Sequence, residues 1–172
     1  CSSDLIRKQM GRREMEEIFT YFQQWDVEIM AQFDDGLFDY NPKSVLQEKA
    51  SYRREHKLPE DFPWTGGAFA LLADNRKGYP YIYYIDSWKE IDRSINKVSI
   101  AYHADVMTQV SAQAKKDLKD SYWLGLTTPK WLELMPLGIT KGSGLQALTE
   151  LLHIPMANVM AFGDGENDIE ML

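Results

Sequence analysis

The sequence lacks the features that mark several large classes of protein. Its single cysteine, Cys1, excludes an intramolecular disulfide framework and a zinc site built from several cysteines, which favours a reducing, cytoplasmic setting. No apolar run approaches the roughly 20 residues of a transmembrane helix. The formal net charge of −7 leaves no basic surplus to neutralise a nucleic-acid backbone. These absences predict a globular protein that binds neither nucleic acid nor a membrane.

The two ends of the sequence predict a piece of a longer chain. It begins at Cys1-Ser2-Ser3 without an initiator methionine, and it stops at Leu172 inside a predicted helix. A mature lipoprotein can begin with such a cysteine, but no signal peptide or flexible tether accompanies it. We therefore expect missing sequence rather than a lipid anchor.

Hydrophobic periodicity predicts helices and hairpin strands before Pro136. Helices are predicted at 14–24, 43–55 and 104–118, the first with the apolar stripe Met15, Ile18, Phe19 and Phe22. Segment 27–33 alternates like a half-buried strand and ends in a hairpin turn at Asp34-Asp35-Gly36. Further strands are predicted at 68–73, 79–85, 98–102, 122–126 and 131–135, with a loop around Pro59 and Pro63. This mixture indicates an antiparallel α+β domain.

After Pro136 the pattern changes to loop, helix, strand, loop and helix. The helix carries an apolar face of Leu145, Leu148, Leu151 and Leu152. The short apolar run 159–162 is typical of a strand buried on both faces of a parallel sheet. We therefore predict a domain boundary near Pro136, with an α+β domain at 1–136 and a segment of an α/β domain at 137–172.

Three oxygen-bearing side chains follow that apolar run. Asp164 would lie at the carboxyl end of the strand, and Gly163 and Gly165 would permit a tight turn there. Asn167 and Asp168 come at the start of the next helix. Such oxygens suit a hard cation such as Mg²⁺. The alternative is that Asp164 forms a turn and that Asn167 or Asp168 caps the helix.

A lysine at the start of the preceding helix is the second candidate. Lys141 lies in the run Thr140-Lys141-Gly142, where its ammonium and the helix N-terminus would both attract a phosphoryl group. The alternative is a solvated lysine near a helix end.

Together, these motifs resemble those of the haloacid dehalogenase (HAD) superfamily. A Lys-Gly pair at a helix start, followed by a helix, a strand and GDxxND, is the order of its third and fourth motifs. Residues 133–142 resemble the EIxPxGVSKG stretch of the Cof-like phosphatase branch. The resemblance implies an α/β fold, with a partial Rossmann-like core at the C-terminus and an inserted α+β cap domain.

The resemblance also implies a role for each candidate residue. Lys141 would neutralise the phosphoryl oxygens and an aspartyl nucleophile, and Asn167 would contact the phosphate. Asp164 would hold Mg²⁺, and Asp168 would be a metal ligand or support one. The DxDxT motif that supplies the nucleophile is absent from the 172 residues. The nearest echo, Asp34-Asp35-Gly36-Leu37, is better interpreted as a hairpin turn, so we expect these residues alone to be inactive.

The implied activity is Mg²⁺-dependent hydrolysis of a small phosphorylated metabolite, such as a sugar phosphate, through an aspartyl phosphate. A phosphotransferase or phosphomutase on the same scaffold is one alternative. A non-catalytic fragment or binding module is another.

Two further groups of residues carry weaker signals. His56, His103 and His153 lack the spacing of a zinc helix, so each is expected to be structural or on the surface. Aromatic residues cluster in and near a predicted strand: Trp64, Tyr79, Tyr81, Tyr83, Tyr84 and Trp88. They fit packing on a sheet face, or a surface of the cap that selects the substrate.

Overall fold

A computed structural model describes residues 8–57 and 81–172. Its strands are β1 (Glu28–Gln32), β2 (Gly36–Tyr40), β3 (Tyr81–Ile85), β4 (Lys97–Ala101), β5 (Tyr122–Thr128) and β6 (Trp131–Pro136). Among the described residues, they form a six-stranded sheet in the order β3-β2-β1-β4-β6-β5. Neighbouring strands are antiparallel except β2 and β3, which are parallel.

The helices are α1 (Arg12–Phe22), α2 (Lys43–Glu55), α3 (Ala104–Leu118) and α4 (Lys141–Leu151). Short 3₁₀ helices occupy Gln23–Trp25, Trp88–Glu90, Met156–Asn158 and Glu166–Met171. Within the described part of the chain, no helix is both long enough and apolar enough to cross a membrane.

The main core lies between one face of the sheet and helices α1 and α3. The predicted stripe of α1 is confirmed, since all four of its apolar residues are buried. These helices pack against side chains from the central strands, including Ile29, Val98, Ile100 and Leu132. In α3, which matches its predicted bounds, Val110 and Leu118 are buried and Val106 packs against the same cluster.

The prediction that β1 is half-buried is wrong, because its other face is covered too. Glu28 and Met30 point away from the main core, yet each is only 1% exposed. Lys49 of α2 forms an ion pair with Glu28, with 2.6 Å between Nζ and Oε1. Lys49 also donates a hydrogen bond to Asn41 Oδ1 at 2.6 Å. Helix α2 therefore covers this side of the sheet and buries Lys49 against Glu28 and Asn41.

The predicted hairpin turn between β1 and β2 is confirmed. The N–H of Phe33 donates to the carbonyl of Gly36 at 2.9 Å, which closes the turn around Asp34 and Asp35. Several other predictions fall outside the described residues, namely strand 68–73, the loop at Pro59 and Pro63, Trp64, Tyr79 and the Cys1-Ser2-Ser3 end.

The region after Pro136 keeps its helix but not its predicted strand. The run 159–162 forms no strand in the described chain, and Met160 and Phe162 are 80% and 81% exposed. A parallel strand needs neighbouring strands for its hydrogen bonds, and none of the described strands lies beside this one. On the predicted apolar face of α4, Leu148, Leu151 and Leu152 are exposed as well.

Candidate active site

A capping box fixes the start of α4 and with it the position of Lys141. Thr140 Oγ1 accepts a hydrogen bond from the N–H of Ser143 at 3.1 Å, and the N–H of Thr140 donates to Ser143 Oγ at 2.9 Å. These bonds satisfy donors that would otherwise lack partners at the helix end. Lys141 is the first residue of the helix, where the helix dipole is positive.

Lys141 and Asp168 join the two sequence motifs directly. Lys141 Nζ lies 2.5 Å from Asp168 Oδ1, across 27 residues of sequence. The other oxygen of Asp168 accepts hydrogen bonds from the N–H groups of Asp164 and Gly165, at 3.2 and 3.1 Å. The bond from Lys141, followed by that from Gly165, lowers the pKa of Asp168 below its usual range. Asp168 therefore stays ionised and holds the turn around Asp164.

Two glycines permit the close approach of these segments. A Cβ on Gly163 would lie 2.3 Å from the Cβ of Asp168. A Cβ on Gly142 would lie 2.4 Å from the backbone oxygen of Glu170. The sequence predicted the turn at Gly163, but it did not indicate why glycine follows Lys141. The structure explains the Lys-Gly pair, because only glycine lets α4 contact the 166–171 3₁₀ helix so closely.

Asp164 presents the free carboxylate of the site. Its side chain is exposed, and none of the described residues forms an ion pair or a hydrogen bond with its carboxylate. A carboxylate oxygen of this kind fits Mg²⁺, which prefers oxygen ligands and usually keeps several waters. Within 8–57 and 81–172, however, no three His, Cys, Asp or Glu side chains gather into a metal-binding group. Asn167 is half-buried beside Gly165.

Sequence reasoning missed Glu166, which connects this site to the region before Pro136. Its Oε1 accepts a hydrogen bond from Lys115 Nζ of α3 at 2.5 Å. Its Oε2 accepts one from the N–H of Leu126 in β5 at 2.9 Å. The bond from Lys115 is the main cause of a lowered pKa for Glu166. No local signal could have found this contact, because Lys115 lies 51 residues away in sequence.

The remaining candidates lie elsewhere. His56 stacks on Tyr52 with 3.8 Å between ring centroids, and His103 Nε2 lies 2.5 Å from Glu48 Oε1. Of the aromatic cluster, Tyr83 packs on Phe33 and Phe38, whereas Tyr84 is paired in register with Asp39. Neighbouring strand residues point to opposite faces, so Tyr83 and Tyr84 do not share one surface. A role for these aromatics in substrate selection stays a prediction.

The chain is similar to haloacid dehalogenase-like hydrolases over almost its whole length. The model of that family matches residues 2–172. The HMP-PP phosphatase of Escherichia coli O157:H7 (strain EC4115) is 34% identical over 141 residues, which are 81% of this chain and 52% of that protein. The chain thus spans about half the length of the curated relatives it matches.

Solved structures show the same fold. One is SMU.1108c from Streptococcus mutans UA159, with a TM-score of 0.67 and 17% identity over 98% of this chain and 55% of that one. Another is a sugar phosphatase of HAD subclass IIB, with a TM-score of 0.62 and 15% identity over 96% of this chain and 53% of that one. The predicted α/β fold with a partial Rossmann-like core is confirmed by these matches. The family match covers both the Lys141 and the Asp164 motifs, and the chain belongs to the haloacid dehalogenase-like hydrolase family.

Proposed function

We propose that the complete protein is a Mg²⁺-dependent phosphomonoester hydrolase and that this chain contributes its cationic and metal-binding side. The observation that carries the proposal is the arrangement of Lys141, Asp168 and Asp164. A lysine at a helix N-terminus is held by a buried aspartate, and the same aspartate holds the backbone of a free carboxylate. The negative phosphoryl group needs a cationic side chain, and the Mg²⁺ that accompanies it needs a carboxylate. The two charges must therefore lie side by side.

Each side chain has a distinct part in the proposal. Lys141 is half exposed, so its ammonium can contact a phosphoryl oxygen while Asp168 orients it. Asp164 would hold Mg²⁺, which when bound supplies positive charge that offsets the charge of the phosphoryl oxygens. Both oxygens of Asp168 are already engaged, which favours a supporting role over direct metal ligation. Asn167 is proposed to contact the phosphate.

The nucleophile of the proposed reaction comes from outside these 172 residues. An aspartate carboxylate would attack phosphorus, forming an O–P bond as the bond from phosphorus to the ester oxygen breaks. A general acid, also outside these residues, would give the leaving alcohol its proton. Water would then hydrolyse the aspartyl phosphate to phosphate and the free aspartate. The proposed substrates are small phosphorylated metabolites, because the relatives include an HMP-PP phosphatase and a sugar phosphatase. Sugar phosphates are the first class to screen.

The decisive experiment measures hydrolysis of p-nitrophenyl phosphate by the complete protein, with and without Mg²⁺. Lys141→Met should lower kcat by about 100-fold or more, because a charge that stabilises the transition state is lost. Asp164→Asn should lower the Mg²⁺-dependent rate and raise the Mg²⁺ concentration needed for half-maximal rate, because a metal ligand is lost. The matched controls are Lys116→Met and Asp120→Asn, which change exposed residues of α3 and the turn after it. These two should leave kcat unchanged.

Full Mg²⁺-dependent activity in the Asp164→Asn protein would exclude the metal role. Transfer of phosphate to an added sugar, in preference to water, would instead identify a phosphotransferase. The 172-residue chain alone is expected to show no turnover. Turnover by that chain would contradict the assignment of the nucleophile to another part of the protein.

A further inference from the structure

We infer that Glu166 is a positioning residue that ties the site loop, residues 163–168, to α3 and β5. Its importance for catalysis rests on the function proposed above, whereas the attachment of the site loop to α3 and β5 does not depend on that function. Glu166 lies two residues after Asp164 and two before Asp168. Its side-chain contacts therefore hold the short stretch of backbone between the two aspartates.

The two oxygens of Glu166 contact different elements. Oε1 contacts the ammonium of Lys115 on α3, and Oε2 accepts from the backbone of Leu126 in β5. Strand β5 lies at the edge of the described sheet, so its outward N–H groups face no further described strand. Glu166 provides an acceptor for one of these edge donors, which a strand at this position needs.

Glu166 and Asp168 hold the site loop from opposite sides. Asp168 binds Lys141 of α4 and the amides of Asp164 and Gly165, within the region after Pro136. Glu166 binds the region before Pro136, beside a cavity of about 300 Å³ that Lys119, Trp123 and Leu137 help to line. The position of Asp164 therefore depends on contacts with both regions. Loss of the outer contacts should leave the loop attached at one side only.

An exposed ion pair alone would hold the loop only weakly, because such pairs contribute little to stability. The side chains of Lys115 and Glu166 are 33% and 42% exposed. The backbone bond to Leu126 is the second observation, because it requires the carboxylate to lie in one orientation. Variants can separate the two contacts. Glu166→Gln and Lys115→Met remove the ion pair but keep an acceptor for Leu126, and Glu166→Ala removes both contacts.

The test is residue-resolved amide hydrogen exchange on the complete protein. Glu166→Ala should speed exchange at Leu126, Asp164 and Gly165 by about tenfold or more, because the loop opens more often. Glu166→Gln and Lys115→Met should have an intermediate effect, and Lys115→Arg should resemble the unmodified protein. Glu150→Ala is the matched control, since its side chain accepts a hydrogen bond from Gln146 within its own helix. Faster exchange at Leu126 without any change at Asp164 and Gly165 would overturn the inference.

Kinetics give the second reading. In the variants that lose the ion pair, kcat should fall several-fold and more Mg²⁺ should be needed for half-maximal rate, while KM for the substrate stays the same. Unchanged kcat together with faster loop exchange would exclude a role in the reaction. If the complete protein hydrolyses no phosphomonoester, the proposed function is wrong. The exchange data still test whether Glu166 attaches the site loop to α3 and β5.

Discussion

Phe19 and Phe162 are the same residue type in opposite surroundings. Phe19 is 0% exposed between α1 and the sheet, whereas Phe162 is 81% exposed after Pro136. The first region buries a continuous set of apolar side chains from both helices and strands. In the second region, several leucines and methionines that would normally be buried face outward.

This difference shows that the two regions are held together by different forces. The region before Pro136 depends on apolar burial, the dominant favourable term in folding. The arrangement of α4 and the 166–171 3₁₀ helix depends more on polar contacts, chiefly Lys141 with Asp168 and Glu166 with Lys115. The candidate site is thus set by directional bonds on a surface that is only partly packed.

The largest expected contrast comes from shortening one phenylalanine in each region. Phe19→Ala should lower the free energy of unfolding by about 3–5 kcal/mol, because it removes a buried ring and leaves a cavity. Phe162→Ala should change it by no more than about 0.5 kcal/mol, as expected for an exposed site. Denaturant unfolding of both variants measures the contrast. Equal losses would mean that the second region is packed as tightly as the first.

The next contrast compares two lysine–glutamate pairs. Lys49 and Glu28 are 7% and 1% exposed, so Lys49→Met should cost about 3 kcal/mol at neutral pH, because it removes the cation that lies beside a buried carboxylate. Lys115→Met removes the partner of Glu166 at the surface and should cost less than about 1 kcal/mol. Thermal unfolding of the two variants at one pH measures the two stability losses. A similar cost for both would show that Glu166 is more deeply embedded than its exposure indicates.

The sequence predicted the helices and strands well, but it did not predict which elements distant in sequence pack on each other. Helix α3 matches its predicted bounds because its apolar period and its flanking polar residues lie within the same segment. The packing of α2 on β1 was missed, because it depends on a contact between Lys49 of the helix and Glu28 of the strand, 21 residues apart in sequence. The family resemblance assigned Lys141 and Asp168 to one site, but it did not indicate the direct contact between them that the structure shows. Glu166 belongs to no such pattern, and its partners are chosen by the folded chain alone.

The smallest contrast is between two aspartates with opposite pKa shifts. Burial, and then the charge of Glu28, raises the pKa of Asp39 well above its usual range. The folded protein therefore keeps that proton after the unfolded chain has lost it, and stability falls as pH rises above about 4. Asp39→Asn should remove this loss, which amounts to at most about 1.4 kcal/mol per pH unit for one proton.

Asp168 should behave in the opposite way. Its pKa is lowered, so its contribution to stability is present above the unfolded pKa of about 4 and disappears as pH falls through the folded value. Asp168→Asn should therefore differ from the unmodified protein at pH 6 and converge with it in acid. Equilibrium unfolding of the unmodified protein and of both Asn variants across pH 3–8 measures the contribution of each aspartate. The two slopes are the pH dependences of the difference in unfolding free energy between the unmodified protein and each variant. Slopes of the same sign would contradict the assigned surroundings of one aspartate.

The exposed run 159–162 has a consequence for the colloidal behaviour of these 172 residues. Residues 160–162 form no backbone hydrogen bond in the described part of the chain, and their side chains are largely apolar. Unpaired backbone that carries apolar side chains can form strand pairs with another molecule. The 172-residue chain should therefore self-associate as its concentration rises. Light scattering would detect this association. Met160→Lys should suppress that association, because a charge on such a segment opposes edge-to-edge pairing.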